Sequence, residues 1–341
     1  MTKEFREAVE RLQITPNDDE VLYQLQQLFE NLKADYKCVS TLKITESLSI
    51  ENVFEHQDAV EWFEKILSVV SPDASQVYEG TLLKTLRCLK KDHDESHEDS
   101  TFLSLPITID AGHDEVFRVV DGLEAFFQTT KFVDDNWLYC DDCDEKTYME
   151  ISFNIQKYPT ILTLHLKRFY FDDMKMGYRK NCCPMDIPST LTYFESCTYD
   201  LYGVINHSGV YGSGHYYAYI QSPENNDWFC FNDSHVVKIT DKDFLERSKT
   251  AYMIVYRKRE SSSSSPHQEE DTMETSTEEA LETATADEIP KEILNNTATE
   301  KGKRHSYLKQ SWINWMIPLS LLVMLHLDAV NVGLLVFDFM M

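Results

Sequence analysis

Residues 212–233, GSGHYYAYIQSPENNDWFCFND, carry the strongest local signal in the chain. Two β-rich runs, at 215–221 and 228–231, flank a polar turn from Pro223 to Asp227, which predicts an antiparallel hairpin. Such a hairpin brings the start of its first strand near the end of its second, so His215 faces Asn232 or Asp233. A histidine oriented by an amide or carboxylate supplies two members of a nucleophile–base–orienter triad. The orienting group fixes the imidazole tautomer and steadies its cation. Gly212 and Gly214 beside it let a substrate backbone approach closely. On spacing alone, a glycine-rich hairpin with a surface histidine reads equally well.

Around this hairpin the second half of the chain is strand-like. β-rich runs at 148–155, 160–166, 200–205 and 252–256 are divided by Gly, Asn and Pro. The first part is helical instead. Phe5, Val9 and Leu12, then Val21, Leu22, Leu25, Leu28, Phe29 and Leu32, recur at spacings of three and four. A third helix is predicted from Gln57 to Val70, with Ala59, Phe63, Ile66, Leu67 and Val70 as its apolar stripe. Helices followed by sheet predict an α+β fold.

The 341 residues carry 58 acids against 32 Lys and Arg, a net charge of −26. That surface repels phosphate backbones, which excludes nucleic acid as a partner and favours cationic ones. Part of the charge lies in a linker, 259–305, rich in Ser, Thr and Glu; residues 266–300 hold eleven acids and one base, Lys291, and no aromatic. Beyond it, 306–341 contains WINWMIPLSLLVMLHLDAVNVGLLVF at 312–337, long enough to cross a hydrocarbon layer that takes about 20 apolar residues. Asn314, Pro318, His326, Asp328 and Asn331 oppose a span, while the basic flank Lys301, Lys303, Arg304 and Lys309 suits a cytoplasmic side. A membrane anchor facing the cytosol and a peripheral or non-native hydrophobic tail both stand. Eight cysteines, at 38, 88, 140, 143, 182, 183, 197 and 230, form no disulfide framework. With a charged N-terminus lacking an apolar signal run, they indicate cytosol or nucleus.

The histidine segment resembles the histidine box of the ubiquitin-specific proteases, the papain-like cysteine isopeptidases. Other segments match in order: 55–63 (EHQDAVEWF) resembles the family's Gln-Gln-Asp-Ala-x-Glu-Phe box, and 102–107 (FLSLPI) a strand after the first zinc knuckle. Cys140 and Cys143 match the second knuckle, 162–169 (LTLHLKRF) the Leu-x-Leu-x-Leu-Lys-Arg-Phe strand, and 202–209 (YGVINHSG) the strand leading to the histidine. The resemblance spans residues 1 to about 258 and implies the thumb, palm and fingers arrangement. It makes His215 the general base, Asn232 its orienting partner and Asp233 a helper. It places Gln57, Asp58, His207 and Tyr216 along the cleft for the basic, glycine-terminated tail of ubiquitin. Ubiquitin and ubiquitinated proteins are the implied partners, and the acidic balance suits that tail.

Two departures qualify the implied chemistry. The family's nucleophile lies in an Asn-x-Gly-x-Thr-Cys-Tyr box at a helix start, where the dipole lowers its pKa. No such box occurs in the 341 residues, and 1–6 (MTKEFR) resembles the stretch that follows it, so the expectation is a domain truncated at its first thumb helix and inactive as written. Cys38 lacks the glycine turn or helix start that would place it opposite His215, and Cys230, between Phe229 and Phe231, reads as core. The zinc ribbon is also incomplete: Cys88 is followed by Leu89-Lys90-Lys91, leaving three thiols with Cys140 and Cys143, and His93 or His97 as a substitute ligand. A metal-free finger held by packing is expected, with zinc the alternative. Cys182 and Cys183 read as strand-end thiols. The resemblance implies a thiol-dependent deubiquitinase; the alternative is a catalytically inactive ubiquitin-binding protein or adaptor. An unrelated zinc-ribbon scaffold is disfavoured, since the histidine and glutamine boxes would then be coincidence.

Overall fold

The computed structural model describes residues 2–15, 19–34, 39–50, 56–90, 95–112, 114–133, 137–233, 235–240 and 248–260. Cys38, His93, the linker beyond Glu260 and the hydrophobic stretch 312–337 lie outside them. Among the described residues no helix is long and apolar enough to cross a membrane.

Among the described residues the chain opens on helices, two of which start at an aspartate N-cap. α1 (Lys3–Arg11) buries Phe5, Ala8 and Val9 on one face. α2 (Glu20–Lys33) is capped by Asp19, whose carboxylate accepts from the Leu22 amide, and buries Leu22, Leu25, Leu28 and Phe29. After the short α3 (Leu42–Ser47), α4 (Ala59–Val69) buries Ala59, Val60, Phe63, Ile66 and Leu67. The helix predicted from Gln57 begins later because Asp58 is its N-cap, extended in backbone and bonded to the Val60 and Glu61 amides. One turn, α5 (Pro72–Ser75), follows behind a Ser71 cap.

Strand structure starts at Gly80, much earlier than the sequence pattern indicates, and α6 (Val119–Phe127) sits between strands. The helices therefore do not all precede the sheet, although the class remains α+β. An antiparallel four-stranded sheet has the order Ser96–Phe102, Gly80–Cys88, Met149–Lys157, Thr130–Phe132. Its edge strand, SHEDSTF, exposes both faces, so it has no apolar alternation to read.

The larger sheet has eight strands. Its path runs His235–Ile239, Trp228–Asn232, Ser213–Gln221, Tyr199–Val210, Ala251–Lys258, Ile161–Lys167, Leu105–Thr108, with Thr190–Leu191 added beside Tyr199–Val210. Both faces are covered. Tyr252, Met253 and Val255 join Ile205, Ala218 and Phe231 in a core shared with α1, α2 and α4. Ile254 and Tyr256 join Leu162, Leu164 and Leu166 in a second core with Val119 and Leu123 of α6. Burial on both faces is why 251–256 reads AYMIVY as one apolar run, without alternation to polar residues.

Arg168 locks this sheet to the segment beside it. The side chain is fully buried, and its guanidinium donates to the carbonyls of Ala251 (2.5 Å), Asn181 (2.9 Å), Cys183 (3.1 Å) and Ser248 (3.2 Å). The Arg of the Leu-Lys-Arg-Phe segment is thus a structural tie between chain stretches 80 residues apart.

Candidate functional site

The site lies at one end of the large sheet. The strands Tyr199–Val210 and Ser213–Gln221 pair antiparallel, with His207 opposite Tyr216 and Ser208 opposite His215. Gly212, at φ 71°, makes the turn between them with Tyr211, and Gly209, at φ 134°, lies in the strand before it, opposite Gly214. Gly214 is required for a different reason. A Cβ there would come within 2.2 Å of His207 Nε2 and 2.6 Å of the Ser208 carbonyl oxygen.

The next strand, Trp228–Asn232, brings Asn232 to the same end. His215 Nε2 lies 2.6 Å from Asn232 Oδ1, and Asp233 Oδ2 lies 3.8 Å from that nitrogen. Because the Asn232 carbonyl accepts, Nε2 carries the hydrogen and Nδ1 is left as the basic atom. The hairpin read from the sequence thus brings together all three residues singled out at its two ends.

Asp58 and Gln57 arrive from the start of α4. Asp58 Oδ1 accepts from the amides of Val60 (2.8 Å) and Glu61 (3.2 Å), while its Oδ2 accepts from the Tyr252 hydroxyl. Gln57 is exposed, and its Oε1 accepts from Trp62 Nε1 at 3.0 Å. His207 is 4% exposed, its ring 4.7 Å from that of Tyr216 and 5.4 Å from that of Phe169. Burial, reinforced by the charge of Lys180, lowers the His207 pKa to about 4. Burial first, then Asp58, pushes the Tyr216 hydroxyl above its ordinary value.

Three participants were not singled out in the sequence. Tyr252 bridges Asp58 to His165, whose Nε2 lies 3.1 Å from the Tyr252 hydroxyl. Burial, with a smaller contribution from Lys167, lowers the His165 pKa to about 4. Lys180 reaches the site from a hairpin, Phe169–Asp172 with Gly177–Lys180, and its Nζ lies 3.0 Å from His207 Nδ1. Tyr252 reads as one more residue of an apolar strand, and Lys180 falls in GYRKNCC, which carries no local pattern.

Of the other thiols, Cys230 is half-buried on its strand and Cys183 is buried, whereas Cys182 is exposed. In the four-stranded sheet and its adjoining ribbon, the sulfurs of Cys88, Cys140 and Cys143 lie within 4.8 Å of one another. They offer three of the four ligands of a tetrahedral zinc site. Position 91, where the first knuckle would have its other cysteine, is Lys91 and lies outside the described residues; Lys90 beside it is ion-paired to Glu145. Burial and the two neighbouring sulfurs push the Cys143 thiol up to about 11. His97 sits on the edge strand with its Nδ1 3.2 Å from the Thr85 hydroxyl.

Comparison with known proteins bears on this arrangement. Over 75% of its length the chain is 26% identical to ubiquitin carboxyl-terminal hydrolase 47 of Drosophila melanogaster, a match that covers 23% of the fly protein. It is 27% identical to Ubl carboxyl-terminal hydrolase 18 of Homo sapiens, over 76% of this chain and 80% of the human one. In fold it is similar to a chain in the structure of the SAGA Ubp8/Sgf11/Sus1/Sgf73 DUB module bound to ubiquitin aldehyde. That superposition has a TM-score of 0.55 and 22% identity, over 64% of this chain and 54% of that one. The family model for ubiquitin carboxyl-terminal hydrolase matches residues 1–256, three-quarters of the sequence, and the chain belongs to that family.

Proposed function

We propose that this chain holds the proton-transfer half of a thiol-dependent hydrolase acting after the C-terminal glycine of ubiquitin or a ubiquitin-like protein. The observation that carries the reading is the 2.6 Å contact between His215 Nε2 and Asn232 Oδ1, which leaves Nδ1 free to take a thiol proton. His215 deprotonates the thiol, the thiolate attacks the carbonyl carbon, and His215 returns the proton to the leaving amine. Asn232 holds the ring in the required tautomer, with Asp233 near the same nitrogen. At Gly212, in the turn before His215, a Cβ would meet nothing within 4 Å, and this open side is where a glycine tail would pass. Asp58, at the start of α4, adds negative charge that draws a basic peptide.

A second reading rests on the sequence. The 341 residues contain no Asn-x-Gly-x-Thr-Cys-Tyr box, and a protein that keeps the cleft without its own thiolate binds the modifier and does not cut it. A membrane anchor through 312–337 is a further proposal, resting on the length of that apolar stretch and its basic flank.

The deciding experiment exposes the chain to ubiquitin bearing a thiol-reactive C-terminal warhead, alongside a form joined upstream to a segment carrying the Cys box. An adduct in the joined form that is lost in His215→Ala supports the hydrolase. Binding of ubiquitin with no adduct in either form selects the binding protein. An adduct in the 341-residue chain that vanishes with Cys38→Ser places the nucleophile within it.

A further inference from the structure

Lys180 and His207 are 27 positions apart and come from different hairpins, yet their polar atoms are in direct contact. Lys180 Nζ lies 3.0 Å from His207 Nδ1 and 2.5 Å from the His207 carbonyl oxygen. An ammonium can only donate, so Nδ1 must accept and the hydrogen of the neutral ring sits on Nε2. Nε2 occupies the space above Gly214, where a Cβ would be 2.2 Å away. Gly214 immediately precedes His215 and pairs with Gly209 across the turn. Lys180 therefore sets the state of a ring on which the backbone of the base rests.

The Lys180 hairpin grips the base hairpin at a second point. Tyr178 is two residues before Lys180 on the same strand, so both side chains leave the same face. The Tyr178 ring stacks on that of Tyr211, with centroids 4.2 Å apart and planes at 18°. Tyr211 belongs to the turn between the two glycines of positive φ. Phe169, at the root of the gripping hairpin, packs edge-on against both Tyr211 and His207.

We propose that Lys180 is a positioning residue: it holds His207 as the neutral Nε2-protonated imidazole and so fixes the Gly214–His215 backbone from which the base works. This rests on His215 being the base. The groups that act on His207 are Lys180 from the gripping hairpin, Asp58 and His56 from the segment before α4, and His215 from the neighbouring strand, with the Tyr216 and Tyr252 rings packed around it. Asp58 alone among them favours a cation, and it is already engaged with Tyr252 and two amides. Burial lowers the Lys180 pKa to about 8, with Arg168 adding to the effect and Cys182 opposing it. The grip is therefore sensitive to alkaline pH.

The test is nitrogen-15 NMR of the histidine rings in the full chain, which needs neither a nucleophile nor turnover. His207 in the unchanged protein should show the Nε2-protonated form at neutral pH, with an inflection of its Nδ1 shift near pH 8 as Lys180 loses its proton. Lys180→Met should give mixed tautomers and raise the His207 pKa by about one unit or more, a tenfold change in its proton affinity. Lys180→Arg, which keeps charge and donor, should restore the single tautomer. In the form joined to the Cys box, Lys180→Met should also slow adduct formation about tenfold or more, as a misplaced catalytic group does, with ubiquitin affinity nearly unchanged. A single His207 tautomer that ignores both the Met variant and the alkaline titration overturns the proposal. Failure of the warhead assay alone, with the NMR signature present, removes the hydrolase reading and leaves the Lys180 contact standing.

Discussion

His215 Nε2 is bonded to the Asn232 side-chain oxygen at 2.6 Å, and the same nitrogen has a carboxylate, Asp233, 3.8 Å away. The base thus has a neutral orienter in contact and a charged one in reserve. Where nothing replaces a lost orienter, the ring adopts the wrong tautomer and turnover falls about 10⁴-fold. Here Asn232→Ala should fall well short of that, because Asp233 can close on Nε2. The Asn232→Ala, Asp233→Ala double variant should lose more than the two single losses combined. Steady-state cleavage of a ubiquitin C-terminal amide by the form carrying the Cys box would measure it. His215→Ala sets the floor, about 10²–10⁴-fold below the parent.

Arg168 gives a stability prediction at a position where charge alone would suggest a role in binding. The guanidinium is fully buried and ends on the carbonyls of Ala251, Asn181, Cys183 and Ser248. Arg168→Met takes a donor from each of these carbonyls, of which that of Ser248 keeps the Met185 amide, and each buried group left unsatisfied costs about 1–3 kcal/mol. A loss of about 3 kcal/mol or more is expected, read as a lower urea midpoint. Lysine should recover little, since one ammonium cannot span four carbonyls.

Asp58 serves a helix end and a tyrosine at once. Asp58→Ala removes the N-cap of α4, worth about 1 kcal/mol, and withdraws the acceptor of the Tyr252 hydroxyl. Together they should cost about 2 kcal/mol, because Tyr252 can turn its hydrogen toward His165 and recover part of the second loss. Asp58→Asn keeps a capping oxygen and should lose less. If instead Asn proves as damaging as Ala in urea unfolding, the carboxylate charge and not the cap is what α4 needs.

How much of this was readable beforehand follows from where each residue's partners lie. His215 and Asn232 are 17 positions apart on one hairpin, so turn chemistry alone brings them together. The apolar runs 160–166 and 252–256 were legible because both faces of their sheet are covered. Ser96–Phe102 was not, because it is held mainly by pairing with Gly80–Cys88 and, apart from the half-buried Phe102 at its end, its residues are exposed on both faces. Lys180, His165 and Tyr252 join Asp58 and His207 from five separated stretches of chain. No periodicity within any one of them marks that meeting, and only the folded arrangement gives Lys180 its role.

The two buried imidazoles make stability depend on acid. His165 and His207 have pKa values lowered to about 4 from the ordinary 6.5, in each case mainly by burial. Below pH 6.5 the unfolded chain protonates both rings while the folded chain protonates neither until about pH 4. Stability therefore rises with pH across that window: it is complete above 6.5 and is lost as the pH falls toward 4. Urea midpoints measured at intervals between these limits should decline steadily. His165→Phe removes one of the two titrations and leaves the Tyr252–Asp58 hydrogen bond in place, so its midpoint should decline less steeply. A slope unchanged by that substitution would mean that His165 is charged in the folded protein, or that carboxylates alone govern its acid sensitivity.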